Sequence, residues 1–221
     1  VSDDGAVVVP LLGGHRGANR LAREVASILK ATAAVTTAGD VALGVALDEP
    51  ALGYRLANPE DAKPVMAALL SGGGATHVGE PLFDLPPGNA VTISVTEAPV
   101  KGGPDHLVYR PQRHVLGLGC ARNAPVEELL ALAKQVIAKA GISPNAIAAV
   151  SSLDLKADEP AMNAVARHLD VPFRLFAASE LEEVTLRLAT PSDVVFAEVG
   201  CHGVCEGSAL AAAGADATLV V

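Results

Sequence analysis

Residues 6–30 decide the fold of the first half of the chain. They begin with the apolar run Ala6-Val-Val-Val-Pro-Leu-Leu12, pass through Gly13-Gly-His-Arg-Gly17 and end in residues 18–30, whose apolar side chains recur at helical spacing. A continuous apolar run predicts a strand buried on both faces. Residues 33–37 predict the next strand, followed by a turn at residues 38–40. A strand, a helix and a strand in this order imply a right-handed crossover and a parallel sheet.

The second half alternates strands and helices more regularly. Strands are predicted at residues 114–119, 147–151, 173–176 and 218–221, and helices at residues 125–140, 159–169 and 204–213. Ser179-Glu-Leu-Glu182 matches a capping box at the start of a further helix. The pattern predicts an α/β protein of two α/β units with mostly parallel sheets, and a three-layer sandwich in the C-terminal domain.

Residues 48–112 form a less regular middle region between residues 1–47 and a C-terminal domain of residues 113–221. Asn58 and Pro59 predict the cap and first position of a helix that ends at residues 71–74. The alternating runs at residues 91–96 and 107–110 predict an antiparallel or edge element. Gly102-Gly-Pro-Asp105 predicts a turn, or a linker between the halves.

Composition excludes several classes of function. Sixteen basic and 25 acidic residues give a net charge of −9, which disfavours binding to a phosphate backbone. Only 3% of the residues are aromatic, which disfavours a stacking platform for single-stranded nucleic acid. Three cysteines do not make a disulfide framework, so the reduced cytosol is expected.

The sequence predicts no membrane span and no signal peptide at its start. The mean hydropathy is +0.37, yet no apolar run approaches the ~20 residues of a membrane span. The first residues have neither the basic nor the apolar region of a signal peptide. The chain starts at Val1 and stops inside the apolar run of residues 217–221. We therefore expect a piece of a longer protein, cut at both ends.

The glycine-rich loop at residues 13–17 is the most informative candidate site. A glycine-rich turn between a strand and a helix presents backbone N–H groups that bind anions. The spacing of Gly13, Gly14 and Gly17 fits neither a dinucleotide site nor a P-loop. His15, Arg16 and Asn19 instead suit a carboxylate-bearing ligand and a proton transfer near neutral pH. The alternative is a tight turn with an exposed histidine.

Three further loops follow predicted strands, where ligands bind in open α/β sheets. Thr37 and Asp40 lie at the carboxyl end of the second strand, although Asp40 could simply cap the next element. In the loop Ser151-Ser-Leu-Asp-Leu-Lys-Ala-Asp-Glu-Pro160, Asp158 fits a helix cap, which leaves Asp154 and Lys156 as better site candidates. Gly117-Leu-Gly-Cys-Ala-Arg-Asn123 lacks the third glycine of a dinucleotide loop, and its Asn123 fits a helix cap.

Cysteine chemistry is not favoured by the sequence. The segment Cys201-His-Gly-Val-Cys205 could supply zinc ligands. Zinc needs four ligands, however, and the remaining cysteine, Cys120, is distant in sequence. The order of residues does not match a haem attachment motif. For Cys120 as a nucleophile, the sequence identifies no general base that would activate the thiol. We predict no metal site and no cofactor.

The loops in this order resemble the cobalt-precorrin-5A hydrolases of cobalamin biosynthesis. The resemblance lies in the Gly13–Asn19 loop, in Thr36-Thr-Ala-x-Asp40, in Gly117-Leu-Gly-Cys120, in Ser152-x-Asp-Leu-Lys-Ala-Asp-Glu-Pro160 and in Val199-Gly-Cys201 with Val204-x-Glu206. The second half alone is similar to the smaller companion protein of the aerobic cobalamin pathway. The resemblance implies a carbon–carbon bond hydrolase that opens the ring-A lactone of cobalt-precorrin-5A and releases acetaldehyde, giving cobalt-precorrin-5B.

The resemblance also suggests roles for the loop residues. His15 would be the general base or acid, while the amides of Gly14 and Gly17 and the side chain of Asn19 would stabilise developing charge. Arginine and lysine side chains would anchor the carboxylates of the macrocycle in a crevice between the halves. The candidate catalytic residues are His15, Asn19 and Asp40, and the candidate substrate-binding residues are Gly13, Gly14, Arg16, Gly17, Thr37, Cys120, Arg122, Asp154, Lys156, Asp158, Glu159 and Glu206.

The sequence departs from the family pattern at three places. Arg16-Gly-Ala18 supplies one glycine where the family has two, Gly39 replaces a threonine, and Asn123 stands where glycine is usual. Residues 1–47 are expected to be the remainder of the family's N-terminal domain, and Val221 is where a fusion to a precorrin-3B C17-methyltransferase would continue. The competing function is a non-catalytic carrier of corrinoid intermediates. The expected partner is a corrinoid intermediate, with cobalt present only in the substrate and with no nucleic acid or membrane.

Overall fold

The computed structural model describes residues 1–11, 18–35 and 38–220, with the backbone alone for Ala38 and Asp40. The chain divides into two compact units. Unit 1 comprises Val1–Thr96 and Val100–Arg110, and unit 2 comprises Glu97–Pro99 and Pro111–Val221. Both units contain parallel strands joined by helices, so the predicted α/β class with mostly parallel sheets is confirmed.

Unit 1 begins with the predicted strand–helix–strand segment. Strand β1 (Val7–Val8) is parallel to β2 (Thr32–Ala33), and helix α1 (Ala18–Leu29) connects them. The predicted buried strand of residues 6–12 is shorter than expected, because the ladder with β2 pairs only two residues of each strand.

The buried face of α1 differs from the predicted apolar face. Ala22 and Ala26 pack on Val8, while Leu21 and Ile28 are 59% and 81% exposed. Small alanine side chains let the helix approach the strand closely, and this leaves the larger apolar side chains outside. Spacing alone located the helix but not the face that it buries.

The predicted turn at residues 38–40 is wrong, because these residues begin helix α2 (Ala38–Ala42). A Cβ atom at Gly39 would lie 2.4 Å from Cε of Met66. The glycine thus allows α2 to pack against helix α3 (Ala62–Leu70). Asp40 lies inside α2 rather than ahead of it, so it is not the cap of this helix.

The middle region forms a second sheet in unit 1. It contains β3 (Tyr54–Leu56), β4 (Ala75–Val78), β5 (Val91–Val95) and β6 (His106–Pro111) in the order β3-β6-β5-β4. The prediction of an antiparallel or edge element is wrong, since β5 and β6 are the central strands and are parallel. The alternation of polar and apolar residues in β5 and β6 does not reflect a solvent-exposed face, because Ser94 and Arg110 are buried. Ser94 is hydrogen-bonded to His106, and Arg110 donates to the carbonyl of Thr96.

Asn58 precedes a 3₁₀ turn at Pro59–Asp61 that leads into α3, and the predicted helix start and its end before residue 71 are confirmed. Its side chain makes no capping hydrogen bond. Instead, Nδ2 donates to the carbonyl of His106 and Oδ1 accepts from the N–H of Val108. The predicted turn at residues 102–105 is closed by hydrogen bonds between Gly103 and His106, and it joins β5 to β6 inside unit 1 rather than linking the units.

Unit 2 is the predicted three-layer sandwich. Its parallel sheet has the order β7-β8-β9. Core side chains of α4 and α5 pack with Val150 on one face of the sheet, and α8 covers the other face, where Ser208 contacts Ser151. The elements are β7 (His114–Gly117), α4 (Val126–Lys139), β8 (Ile147–Leu153), α5 (Pro160–Leu169), β9 (Phe173–Phe176), α6 (Ala178–Glu182), α7 (Asp193–Val199) and α8 (Val204–Ala213).

Two predictions for unit 2 are wrong in detail. The N–H of Ala177 donates to Glu180, so the cap of α6 is Ala177, two residues before the predicted cap at Ser179. The described residues 218–220 form no strand. Arg187 donates to the carbonyls of Gly214 and Ala217, and these bonds hold the chain after α8 in an irregular path.

No single helix in the described part of the chain is long and apolar enough to cross a membrane. Helices α7 and α8 reach the required length and composition only as a pair, which is bent by 79°.

Candidate functional site

The first group of predicted site residues follows the strands of the small sheet in unit 1. Because β1 and β2 are parallel, the chain leaves both strands at the same edge of that sheet. Asn19, in the first turn of α1, is 3% exposed. Gly13, Gly14, His15, Arg16, Gly17 and Thr37 lie outside the described residues, as does the side chain of Asp40. Their roles stay predictions.

Unit 2 contains an open pocket of about 550 Å³ at the carboxyl ends of β7 and β8. Its lining includes Cys120 and Arg122 after β7 and Lys156 after β8, three of the predicted residues. Valine side chains of α7 and α8 form most of the opposite wall: Val194, Val195, Val199 and Val204. A largely apolar pocket with a few polar groups, at the carboxyl end of a parallel sheet, is typical of a ligand site.

Arg122 is held by the loop that follows β8. Its Nη1 lies 2.5 Å from Oδ1 of Asp158 and 3.9 Å from Oε2 of Glu159, and its Nη2 donates to the carbonyl of Leu155. The hydrogen bond from Arg122 lowers the pKa of Asp158 and raises the pKa of the guanidinium. The prediction of Asp158 as a helix cap is wrong: Glu159 occupies the cap position of α5, and Asp158 pairs with Arg122 instead.

Glu159 is a buried carboxylate that fixes the loop after β7. It is 1% exposed, and its two carboxylate oxygens accept from the N–H of Asn123 at 3.1 and 3.3 Å. Asn123 has a φ of 58° and does not cap α4, which begins after Pro125. A left-handed backbone at this position favours glycine, and asparagine is one of the few other residues that adopts it, so Asn123 can stand where glycine is usual.

The thiols that line the pocket are poor nucleophiles. Burial, and then the charge of Glu159, raise the pKa of Cys120. Neighbouring atoms also desolvate the thiol of Cys205, although the residue as a whole is exposed, and this raises its pKa. The raised pKa values keep both side chains predominantly as neutral thiols near neutral pH. Because the thiolate is the reactive form, neither thiol is a good nucleophile.

The Cys201–Cys205 segment is organised around His202. Nδ1 of His202 lies 2.9 Å from Oε1 of Glu182, and its ring stacks on Phe196 with centroids 4.5 Å apart. Cys201 is fully buried. Within residues 1–11, 18–35 and 38–220, no three or more His, Cys, Asp or Glu residues are grouped so that they could hold a metal ion.

Four of the predicted binding residues of unit 2 do not line the pocket, namely Asp154, Asp158, Glu159 and Glu206. Asp154 is exposed in the 3₁₀ turn that follows β8. Glu206 accepts from the N–H groups of Ala189 and Thr190 and from Oγ1 of Thr190. Burial opposes ionisation of Glu206, but these hydrogen bonds outweigh it and lower its pKa. Its carboxylate therefore holds a loop and lies on a separate groove beside β7.

Sequence reasoning missed the α7 wall of the pocket and one polar pair in unit 1. The signal for α7 was present, since Ser192 precedes an apolar run and its Oγ accepts from the N–H of Val195. Oγ of Ser94 lies 2.7 Å from Nε2 of His106, on neighbouring strands. Only the register of β5 and β6 brings this pair together, so no local sequence signal could have found it.

The pairing of Arg122 with Asp158 gives a testable pH dependence. A lowered pKa means that the pair stabilises the fold above the ordinary carboxyl pKa of about 3.9, and that this contribution is lost as the pH falls through the lowered value. In Arg122→Met, we expect the pKa of Asp158 to rise toward its ordinary value, measured by carboxyl NMR titration. An unchanged pKa in the variant would contradict the pairing.

The fold and the pocket define an α/β protein with a candidate ligand pocket at the carboxyl ends of parallel strands. The family model described as "Cobalamin synthesis G C-terminus" matches residues 114–221, and the model "Cobalamin synthesis G N-terminal" matches residues 1–40. The chain belongs to the cobalamin synthesis G family, which confirms the resemblance that its motifs carry.

Three curated relatives support this assignment. The chain is 51% identical to Protein CobE of Sinorhizobium sp over 48% of its own length and 70% of that protein. It is 28% identical to cobalt-precorrin-5A hydrolase of Priestia megaterium over 98% of the chain and 65% of the relative. It is 32% identical to cobalt-precorrin-5A hydrolase of Salmonella typhimurium (strain LT2) over 83% of the chain and 59% of the relative. The chain thus spans about three fifths of the length of the two hydrolases.

Proposed function

We propose that this chain hydrolyses the ring-A lactone of cobalt-precorrin-5A and releases acetaldehyde, giving cobalt-precorrin-5B, in the cytoplasmic synthesis of cobalamin. One observation carries the proposal: the similarity to a cobalt-precorrin-5A hydrolase extends over 98% of the chain. Both family regions are present in the same chain, at residues 1–40 and 114–221. Similarity to the C-terminal region alone, at residues 114–221, would be weaker support for hydrolase activity.

Lactone hydrolysis needs an activated water molecule and donors for the developing oxyanion. The raised pKa values of Cys120 and Cys205 argue against a thiolate nucleophile. An imidazole titrates near neutral pH and suits the role of base. His15 follows β1, and Asp40 follows the parallel neighbour β2, so the order of the elements favours an imidazole and a carboxylate at one sheet edge.

The substrate must be held by local positive charge, because the chain as a whole carries a net charge of −9. The macrocycle bears acetate and propionate side chains, which cationic side chains in the loops would anchor. The partner that we propose is therefore a corrinoid intermediate, passed on to a fused or neighbouring precorrin methyltransferase. Cobalt enters as part of the substrate.

The proposal is tested by incubating the protein with cobalt-precorrin-5A without oxygen, then measuring acetaldehyde and the pigment that stays bound after gel filtration. We expect acetaldehyde to accumulate with time and with protein concentration. Retained pigment without acetaldehyde would contradict the hydrolase proposal and would favour the carrier function.

A further inference from the structure

We infer that the pocket of unit 2 binds one peripheral carboxylate of the corrinoid through Lys156, with the apolar body of the ligand lying against Leu155 and Val194. The inference rests on the proposed function for the identity of the ligand. Its structural basis lies within unit 2. It consists of the interactions of Arg122 and Lys156, the apolar mouth of the pocket and the position of Glu198.

The two cations of the pocket differ in what they are free to bind. Arg122 already donates to Asp158 and to the carbonyl of Leu155. A ligand carboxylate would have to displace these bonds and disturb the loop that Arg122 holds. Lys156 also lines the pocket and is half-buried, and among the residues that the structure describes its ammonium group makes no hydrogen bond and no ion pair, although its charge acts to lower the pKa of Asp158 and of Cys120. Lys156 is therefore the available anchor for an anion, and Arg122 positions the loop.

The mouth of the pocket is apolar and open. Leu155 is 56% exposed and Val194 is 75% exposed, and both line the pocket. Exposed apolar side chains grouped at a concave site mark a binding surface. A ligand that covers Leu155 and Val194 needs an apolar body beside its negative charge. A small, fully hydrated anion has no such body and does not fit this pocket.

The acidic side chain of the pocket limits the number of carboxylates that can bind. Glu198 lines the pocket on α7 and is exposed. A second ligand carboxylate near Glu198 would meet a like charge, whereas a carboxylate at Lys156 would be attracted by the ammonium group. The pocket volume of about 550 Å³ also suits part of a large ligand, with the rest remaining outside.

The experiment compares two stable probes on the full chain: a cobalt corrinoid with free peripheral carboxylates, and the same corrinoid with every carboxylate methyl-esterified. Dissociation constants are measured by absorbance titration. Lys156→Met should weaken binding of the free acid about tenfold to a hundredfold and leave binding of the ester unchanged. Lys156→Arg should restore most of the affinity. Lys134→Met, at an exposed position on α4 outside the pocket, is the matched control and should bind both probes as the parent does.

The outcomes separate this inference from the hydrolase proposal. If Lys156→Met binds the acid as tightly as the parent, or loses the acid and the ester equally, the inference is overturned whether or not acetaldehyde is formed. A selective loss of the acid in Arg122→Met, with none in Lys156→Met, would also overturn it. If the parent releases no acetaldehyde but Lys156→Met selectively loses the acid, the hydrolase proposal fails and the inference stands.

Discussion

Replacing His15 by alanine is expected to lower the rate of acetaldehyde release from cobalt-precorrin-5A by about 10²- to 10⁴-fold. This is the usual contribution of a positioned general acid or base. In the sequence His15 lies between β1 and α1, and an imidazole is the side chain whose ordinary pKa lies near neutral pH. The measurement is the initial rate of acetaldehyde formation, without oxygen and at saturating substrate.

The matched control for this variant is His168→Ala. His168 is an exposed histidine in the last turn of α5, and it does not line the pocket of unit 2. We expect this variant to release acetaldehyde at the parent rate. Release at the parent rate by His15→Ala, with its fold intact by circular dichroism, would remove His15 from the mechanism.

Replacing Gly117 by alanine is expected to destabilise unit 2 by about 1–3 kcal/mol, the usual cost of overpacking a core. A Cβ atom at this position would lie 1.9 Å from the carbonyl oxygen of Cys205 and 3.1 Å from Cβ of Ala209. The first of these neighbours is backbone, so helix α8 would have to move away from β7. Because Cys205 lines the pocket, the same movement would disturb the ligand site.

The measurement is the free energy of unfolding by denaturant, compared with Gly103→Ala as the control. A Cβ atom at Gly103 would meet nothing closer than 3.9 Å, so we expect a change within about 0.5 kcal/mol there. Equal stability of the two variants would contradict the close packing of α8 on β7. Increased hydrogen exchange confined to unit 2 in Gly117→Ala would locate the effect.

Much of unit 2 could be predicted from local sequence signals. Apolar runs marked its three strands, and α4 ends where Gly141 adopts a φ of 69°, as a helix-ending glycine does. The middle region could not be predicted in the same way. Alternating polarity in β5 and β6 normally indicates a wet face, but Ser94 and Arg110 find buried partners inside the unit. These hydrogen bonds depend on tertiary contacts, which the spacing of polar and apolar residues along the sequence does not show.

The candidate site was predictable to the extent that it follows strand ends. Cys120, Arg122 and Lys156 come together because β7 and β8 are parallel neighbours. The role of Asp158 was predicted wrongly because its partner Arg122 is 36 residues away in sequence. Local rules assign an acidic residue before Pro160 to a cap, and only the fold reveals the competing ion pair.

The most direct test of the central claim is the number of acetaldehyde molecules that one molecule of this protein releases from cobalt-precorrin-5A in the absence of oxygen. The account predicts more than one per protein molecule, at a rate proportional to protein concentration and well above that of a buffer blank. Release no faster than the blank, from folded protein that binds the pigment, would contradict it.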